Sequence, residues 1–308
     1  MKTEAARVAF TRTLLELARE DKTIFAAATD SRGSVTLTEF PDALPQQFVE
    51  CGIAEQDAIG ISAGLANAGL RPFVCGPACF YSLRSAEQVK LDIAYSHMNV
   101  KVIGVSGGVS YGALGMSHHA TQDIALYRAT PGLEIFIPAD GPQTVALTKY
   151  LATSGEPAYV RMGRGEVPNV YEEGNAPFTP GKANVLRRGT DAAIIACGEM
   201  VYPSLRAAEL LAAQGVSVSV YDMHTLRPLD EAAILEAAQT GFVVTVEEHD
   251  VHGGLGGAVA EVLAQQKPTK MRILGLPDEK LFSGTSAEVF AHYGLTAEGI
   301  ARAVQAGR

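Results

Sequence analysis

Tryptophan is absent from the 308 residues, and cysteine occurs only four times. Four thiols in a chain this long do not make a disulfide framework. Cys51 and Cys197 stand alone, and Cys75 and Cys79 have no second Cys/His pair to complete a zinc site. They read as small buried thiols in a reducing compartment. No stretch approaches the roughly 18 apolar residues of a membrane span. Met1-Lys2-Thr3-Glu4 leads into an amphipathic segment rather than the apolar core of a signal peptide. A cytoplasmic protein without a membrane contact is expected. Lysine and arginine form no run, and 25 basic residues face 34 acidic ones, a net charge of −9. Nucleic acid is a poor partner for such a chain. Internal repeats and low-complexity tracts are missing as well.

What is present is globular: 47% hydrophobic and 19% charged residues, which excludes disorder. At roughly 150 residues per domain, two domains are expected. Short apolar runs at 24–28, 72–75, 100–105, 134–137 and 158–160 read as buried strands. Segments of helical period at 4–19, 55–67 and 85–96 lie between them. In the first, Ala6, Phe10, Leu14, Leu17 and Ala18 mark one apolar face. The alternation predicts a parallel sheet covered by helices. A Pro/Gly-rich, aperiodic stretch over 171–187 reads as a linker. Strand candidates resume at 192–197, 216–221, 242–246 and 271–274, with helices around 203–214, 230–239 and 257–265. The fold class expected is α/β with two doubly wound domains, 1–170 and 188–308.

Generic ligand motifs are mostly lacking. No G-x-G-x-x-G follows a strand, and neither a P-loop nor H-E-x-x-H occurs. Gly253-Gly254-Leu255-Gly256-Gly257 reads as a close strand-to-helix packing turn, with an anion at the helix N-terminus as the alternative. Gly104-Val105-Ser106-Gly107-Gly108 fits G-x-S-x-G, but the glycines that follow oppose the immediate helix a nucleophile elbow needs. This stretch reads better as a glycine-rich active-site loop, ending in Ser117-His118-His119. Such a loop after a strand is where α/β proteins place ligands, which favours a substrate-facing His118. In Gly52-Ile53-Ala54-Glu55-Gln56, Glu55 opens an apolar helix. A helix N-terminus favours a carboxylate. Ile53, Ala54, Ala58, Ile59 and Ile61 predict an apolar setting, which favours the neutral form of a carboxyl and lets it share a proton with a ring nitrogen.

Gly-Ile-Ala-Glu-Gln at 52–56, with Ala63-Gly-Leu-Ala66 behind it, resembles the pyrimidine-binding domain of the thiamine-diphosphate enzymes of the transketolase family. It is most similar to 1-deoxy-D-xylulose-5-phosphate synthase and to split, two-subunit transketolases. Ala78-Cys-Phe80, Arg84, Glu87-Gln88, the 112–118 loop, Ile137-Pro-Ala-Asp140 and Arg161-Met-Gly-Arg164-Gly165 fit further family motifs. Val246-Glu-Glu-His and Gly253-Gly-Leu-Gly256 fit its C-terminal domain. The family's Gly-Asp-Gly motif for the diphosphate and its metal is missing. The resemblance therefore implies the C-terminal subunit of a two-chain transketolase. A separate N-terminal subunit would carry Gly-Asp-Gly and hold thiamine diphosphate with Mg2+ (or Ca2+/Mn2+), in an α2β2 assembly. This chain would hold no metal.

The resemblance also implies roles. Glu55 would hydrogen-bond N1′ of the aminopyrimidine. Asp30, Ile53, Phe80 and Arg84 would bind the cofactor, Phe80 by stacking, although a small offset would put Tyr81 there. His118 would contact substrate hydroxyls. Arg7, Ser34, Ser106 and Arg161 would face the phosphate of a sugar phosphate, arginine suiting that anion through its two-pronged fork. Leu114 stands where the family usually carries an aspartate that reads a donor hydroxyl, and Ser106 where it carries a histidine. A modified sugar phosphate, branched or otherwise substituted, is therefore expected for the two-carbon ketol transfer. The alternatives are the beta subunit of a 2-oxo-acid dehydrogenase decarboxylating component, a deoxyxylulose-phosphate-type synthase, a serine hydrolase using Ser106, and a non-catalytic subunit that kept the fold.

Overall fold

Two parallel sheets follow from the two runs of apolar strands. A computed structural model describes residues 2–308. The first sheet has seven strands, in the order Thr225–Arg227, Glu134–Phe136, Ala158–Met162, Lys101–Val105, Arg71–Pro77, Ile24–Ala28 and Phe48–Glu50. All pairings are parallel except the edge strand Thr225–Arg227, which is antiparallel to Glu134–Phe136. The second sheet runs Lys270–Leu276, Phe242–Asp250, Ala192–Ala196, Val218–Asp222 and Asn184–Arg187, again with one antiparallel edge. The two-domain α/β class expected from the alternation is the observed one.

Burial explains the strand composition. Ala192–Ala196 and Lys101–Val105 are buried at every position, as strands covered on both faces must be. The helix Ala6–Glu20 turns Ala6, Phe10, Leu14 and Ala18 to the core. Helix Glu55–Asn67 covers the predicted span. The predicted helix at 85–96 is instead a broken run, with wide π-type turns at Phe80–Arg84 and Val89–Tyr95 around a short α-helical turn.

The 171–187 stretch differs from a plain linker. Asn184–Arg187 is a strand of the second sheet, and the Phe178 ring packs on Phe136 and Tyr150 of the first domain. The strand Thr225–Arg227 likewise returns from the second half to complete the first sheet. The halves are thus stitched by shared strands as well as by packing.

Candidate active site

From the strand Ile24–Ala28 the chain moves outward to Phe48–Glu50 on one side and to Arg71–Pro77 on the other. Crevices at the carboxyl ends of strands around such a switch are where open α/β sheets bind ligands. A cavity of about 310 Å³ lies there. Thr29 and Asp30 reach it from the end of Ile24–Ala28, Pro77 from the end of Arg71–Pro77, and Ile53 and Glu55 from the turn after Phe48–Glu50. Ser31, Ser34, Phe80, Tyr111, Leu114 and His118 complete the lining. Asp30 holds a left-handed φ of 53°, a strained conformation of the kind that clusters at binding sites. Its N–H donates to Glu50 Oε1 at 2.7 Å.

Glu55 is the first residue of its helix and only 2% exposed. Gly52, with φ of 68°, makes the turn that delivers it. Arg84 Nη1 donates to Glu55 Oε2 at 2.7 Å. The apolar setting expected for Glu55 is therefore corrected in part. Ala58 and Ile59 are buried beneath it, but Ile53 is 77% exposed and Arg84 supplies a cation. That ion pair offsets part of the cost of burying the carboxylate. Glu55 Oε1 has no hydrogen-bond partner among the described residues. The Arg84 guanidinium also lies 4.5 Å from the Phe80 ring centre. Phe80 faces the cavity while Tyr81 is fully buried in the core, so Phe80 is the aromatic available to a ligand.

The adjacent histidines separate. The His118 ring sits edge-on between Phe80 and Tyr111, at 5.5 and 5.7 Å between ring centres. His119 turns inward, with Nε2 3.2 Å from the Gly112 carbonyl, and burial lowers its pKa. Behind Ser34, Arg7 Nη1 donates to the Ser34 carbonyl at 2.7 Å and Arg7 Nε to the Arg164 carbonyl at 2.9 Å. Arg164 donates to the Tyr111 hydroxyl at 2.9 Å and stacks 4.8 Å over its ring. Neither arginine has a carboxylate partner among the described residues. Burial, then Arg164, lowers the pKa of Arg7. Tyr111, which lines the cavity, and Arg164, which bonds to it from behind, are residues to which the sequence reading gives no role. The available signal is the second arginine of the Arg-Met-Gly-Arg motif.

Two expected substrate contacts are corrected. Arg161 is 4% exposed and lies inside the protein, with Nε 3.1 Å from Asp123 Oδ2 and Nη2 donating to the Glu248 carbonyl. Burial opposes its charge, but Asp123 and Glu248 outweigh it and raise its pKa. Ser106 is 1% exposed, with φ of 62° and no hydrogen-bond partner for Oγ. A nucleophilic serine needs a base within hydrogen-bond reach, so the hydrolase reading loses its footing. The glycine turn at 253–257 is the packing turn. Glu247 accepts the Leu255 and Gly256 amides at 2.7 Å each, which fills the helix N-terminus with an internal carboxylate.

Comparison with known proteins decides the family. The model "Transketolase, pyrimidine binding domain" matches residues 2–170, and "Transketolase, C-terminal domain" matches 181–300. The chain belongs to the transketolase family. It is a transferase subunit of the thiamine-diphosphate-dependent kind. It is 56% identical to one of the subunits of the apulose-4-phosphate transketolase of Phocaeicola vulgatus, covering 97% of this chain and 96% of that protein. It is 38% identical to the 6-deoxy-6-sulfo-D-fructose transketolase subunit SqwH of a Clostridium species, covering 94% and 90%. Among solved structures, a split-gene transketolase described as an inactive beta4 tetramer superposes with a TM-score of 0.89 at 37% identity, covering 99% and 98%. No helix of the described residues is long and apolar enough to cross a membrane.

Proposed function

We propose that this chain works with a separate diphosphate-binding subunit to transfer a two-carbon ketol unit from a modified sugar phosphate. The observation that carries the reading is one cavity. It gathers Glu55, Phe80, His118, Asp30 and Ser34, with Arg7 and Arg164 behind Ser34. A buried carboxylate with one uncommitted oxygen beside a half-buried aromatic fits a flat nitrogen heterocycle. When bound, thiamine diphosphate supplies a nucleophilic carbon and an electron sink for breaking the bond next to a ketose carbonyl. Glu55 Oε1 holds the proton at the pyrimidine ring nitrogen, while Oε2 stays with Arg84. Phe80 and Ile53 form the apolar walls of the ring slot. His118 meets the donor's hydroxyls, and Asp30 borders the cofactor. Arg7 and Arg164 attract its anionic group, and their lack of carboxylate partners leaves that charge available.

The sugar differs from the ordinary ones. Leu114, 55% exposed, presents an apolar face to the cavity, which rejects a donor hydroxyl that needs a partner. The relatives from Phocaeicola vulgatus and the Clostridium species are both named for modified sugars. A partner subunit closes over the cavity, where Ile53 and Leu114 are 77% and 55% exposed; exposed apolar groups gathered at one place mark interfaces. That partner holds the diphosphate and its Mg2+, Ca2+ or Mn2+ ion, and the assembly pairs two copies of each chain. The four free cysteines suit a reducing, cytoplasmic location.

The test is co-purification with the partner subunit and assay of ketol transfer from apulose 4-phosphate, 6-deoxy-6-sulfofructose and an unbranched ketopentose phosphate. Transfer from a modified donor, favoured over the unbranched one, is expected. In Glu55→Gln the assembly persists and kcat falls about 10²- to 10⁴-fold, because proton transfer is lost. Retained activity in Glu55→Gln would sink the reading in favour of a non-catalytic subunit.

A further inference from the structure

The loop from Ser106 to His118 grows out of the first sheet but rests on the second domain. Its base is pinched by Gly108 and Ala120, whose backbones exchange hydrogen bonds of 2.9 and 2.8 Å. Val109 is fully buried. Its N–H donates to Glu248 Oε1 at 2.7 Å, and its carbonyl accepts from Ser286 Oγ at 3.0 Å. Glu248 comes from the strand Phe242–Asp250, and Ser286 opens the helix Ser286–Tyr293. The apposition is tight along the loop. A Cβ on Gly108 would collide with the Glu248 carboxyl, and one on Gly112 would collide with the Gly284 carbonyl oxygen. Glu248 is itself fixed, since Arg161 donates to its carbonyl while lying 3.1 Å from Asp123. Asp123 in turn accepts the Tyr159 hydroxyl at 2.6 Å. Beyond Val109 the chain delivers Tyr111, Leu114 and His118 to the cavity.

We propose that Glu248 and Ser286 are positioning residues. By holding both backbone polar groups of Val109, they set the loop that brings His118 and Leu114 to the donor. Neither lines the cavity. The second domain then contributes to the transfer as the backstop of this loop. The inference rests on the proposed function in one respect, that His118 faces the donor.

In the assembled two-subunit enzyme, Glu248→Ala is expected to lower kcat/KM for the donor by about ten- to a hundredfold, the scale on which small misplacements act. Glu248→Gln keeps the accepting oxygen and is expected to retain activity within about twofold. Ser286→Ala, which removes a half-buried hydroxyl and leaves the core untouched, is expected to lower kcat/KM in the same direction. Hydrogen exchange of the 106–118 peptide, read on the chain without its partner, is expected to quicken in Glu248→Ala and Ser286→Ala and not in Glu248→Gln. The proposal is overturned if Glu248→Ala and Ser286→Ala exchange and turn over like the parent chain. It is equally overturned if Glu248→Gln loses as much as Glu248→Ala, which would mean that the hydrogen bond to Val109 is not the cause. A parent complex that transfers nothing from any donor counts against the proposed function. The exchange measurement still decides whether Glu248 and Ser286 hold the loop.

Discussion

Arg161 and Arg164 stand three residues apart and do different work. Arg161 lies within the strand Ala158–Met162 and meets Asp123 inside the protein. Arg164 lies just past the strand end, where it bonds to Tyr111 and Ser34, two residues that line the cavity. A sequence shows both guanidiniums and neither environment, because only the fold decides whether a carboxylate sits opposite. Substitution separates them. Arg164→Ala is expected to raise KM for a phosphorylated donor roughly 10- to 100-fold, the equivalent of losing a charge-assisted hydrogen bond of about 1.5–3 kcal/mol, with little change in thermal stability. Arg161→Ala leaves Asp123 buried without its cation and is expected to cost about 3–5 kcal/mol of stability. Denaturant unfolding of both variants, set beside donor KM, checks the pair of outcomes. Equal stability losses would mean that Arg164 is structural too. The cluster of Glu55, Phe80 and His118 was legible because short ordered motifs carried it. Arg84 was legible as a residue, but its ion pair with Glu55 was not. A pairing across 29 positions leaves no trace in local spacing.

At the level of elements, legibility followed burial. The strand Ile24–Ala28 and the helix Glu55–Asn67 coincide with their predicted spans, since one apolar run or face specifies each. The edge strands Thr225–Arg227 and Asn184–Arg187 escape such a reading. Three or four residues leave too few positions for a period, and both take their shape from a partner strand. The helix Ser286–Tyr293 escapes it as well. Its evidence is a capping box, Thr285 with Glu288, rather than an apolar stripe, for Val289 is its one buried residue. The helix Leu255–Gln266 shows how a motif misleads when the occupant is internal. Its glycine-rich start resembles an anion site, yet the Glu247 carboxylate already accepts two of its first amides. A Cβ on Gly254 would collide with Glu247 Oε2, so the glycine admits the protein's own carboxylate. Glu247→Ala therefore strands two buried donors and is expected to destabilise the chain by about 1–3 kcal/mol for each. Added phosphate should not restore the loss, and recovery of the thermal midpoint by phosphate would show that the turn accepts an external anion.

Across the whole molecule, the two domains meet on an unbalanced set of charges. Arg161 and Asp123 come from the first domain, Glu248 and Glu199 from the second. The Glu199 carboxyl packs where a Cβ on Gly163 would otherwise be. One guanidinium thus faces three carboxyls. Burial drives the response, pushing Glu199 up to about 7 and Glu248 up to about 8 from an ordinary value of 4.5. Near neutrality these two groups keep protons that the unfolded chain has already released. Between pH 4.5 and 8 the folded state binds more protons than the unfolded one, so this contribution to stability falls as pH rises. His224 acts oppositely below 6.5, because burial lowers its pKa to about 4 and the unfolded chain gains a proton there first. Asp222, raised by burial to about 6, adds to the fall mainly below about pH 7. Lys101, lowered by burial to about 8, gives up its proton before the unfolded chain does and opposes this fall as pH approaches 8. The junction between the domains is therefore read from the difference between the parent chain and a variant that removes one of its carboxyls. Between pH 6.5 and 8, Glu199→Gln, which keeps the shape and removes the titration, is expected to lose less thermal stability with rising pH than the parent chain does. A slope unchanged in Glu199→Gln would mean that the junction holds its carboxyls ionised.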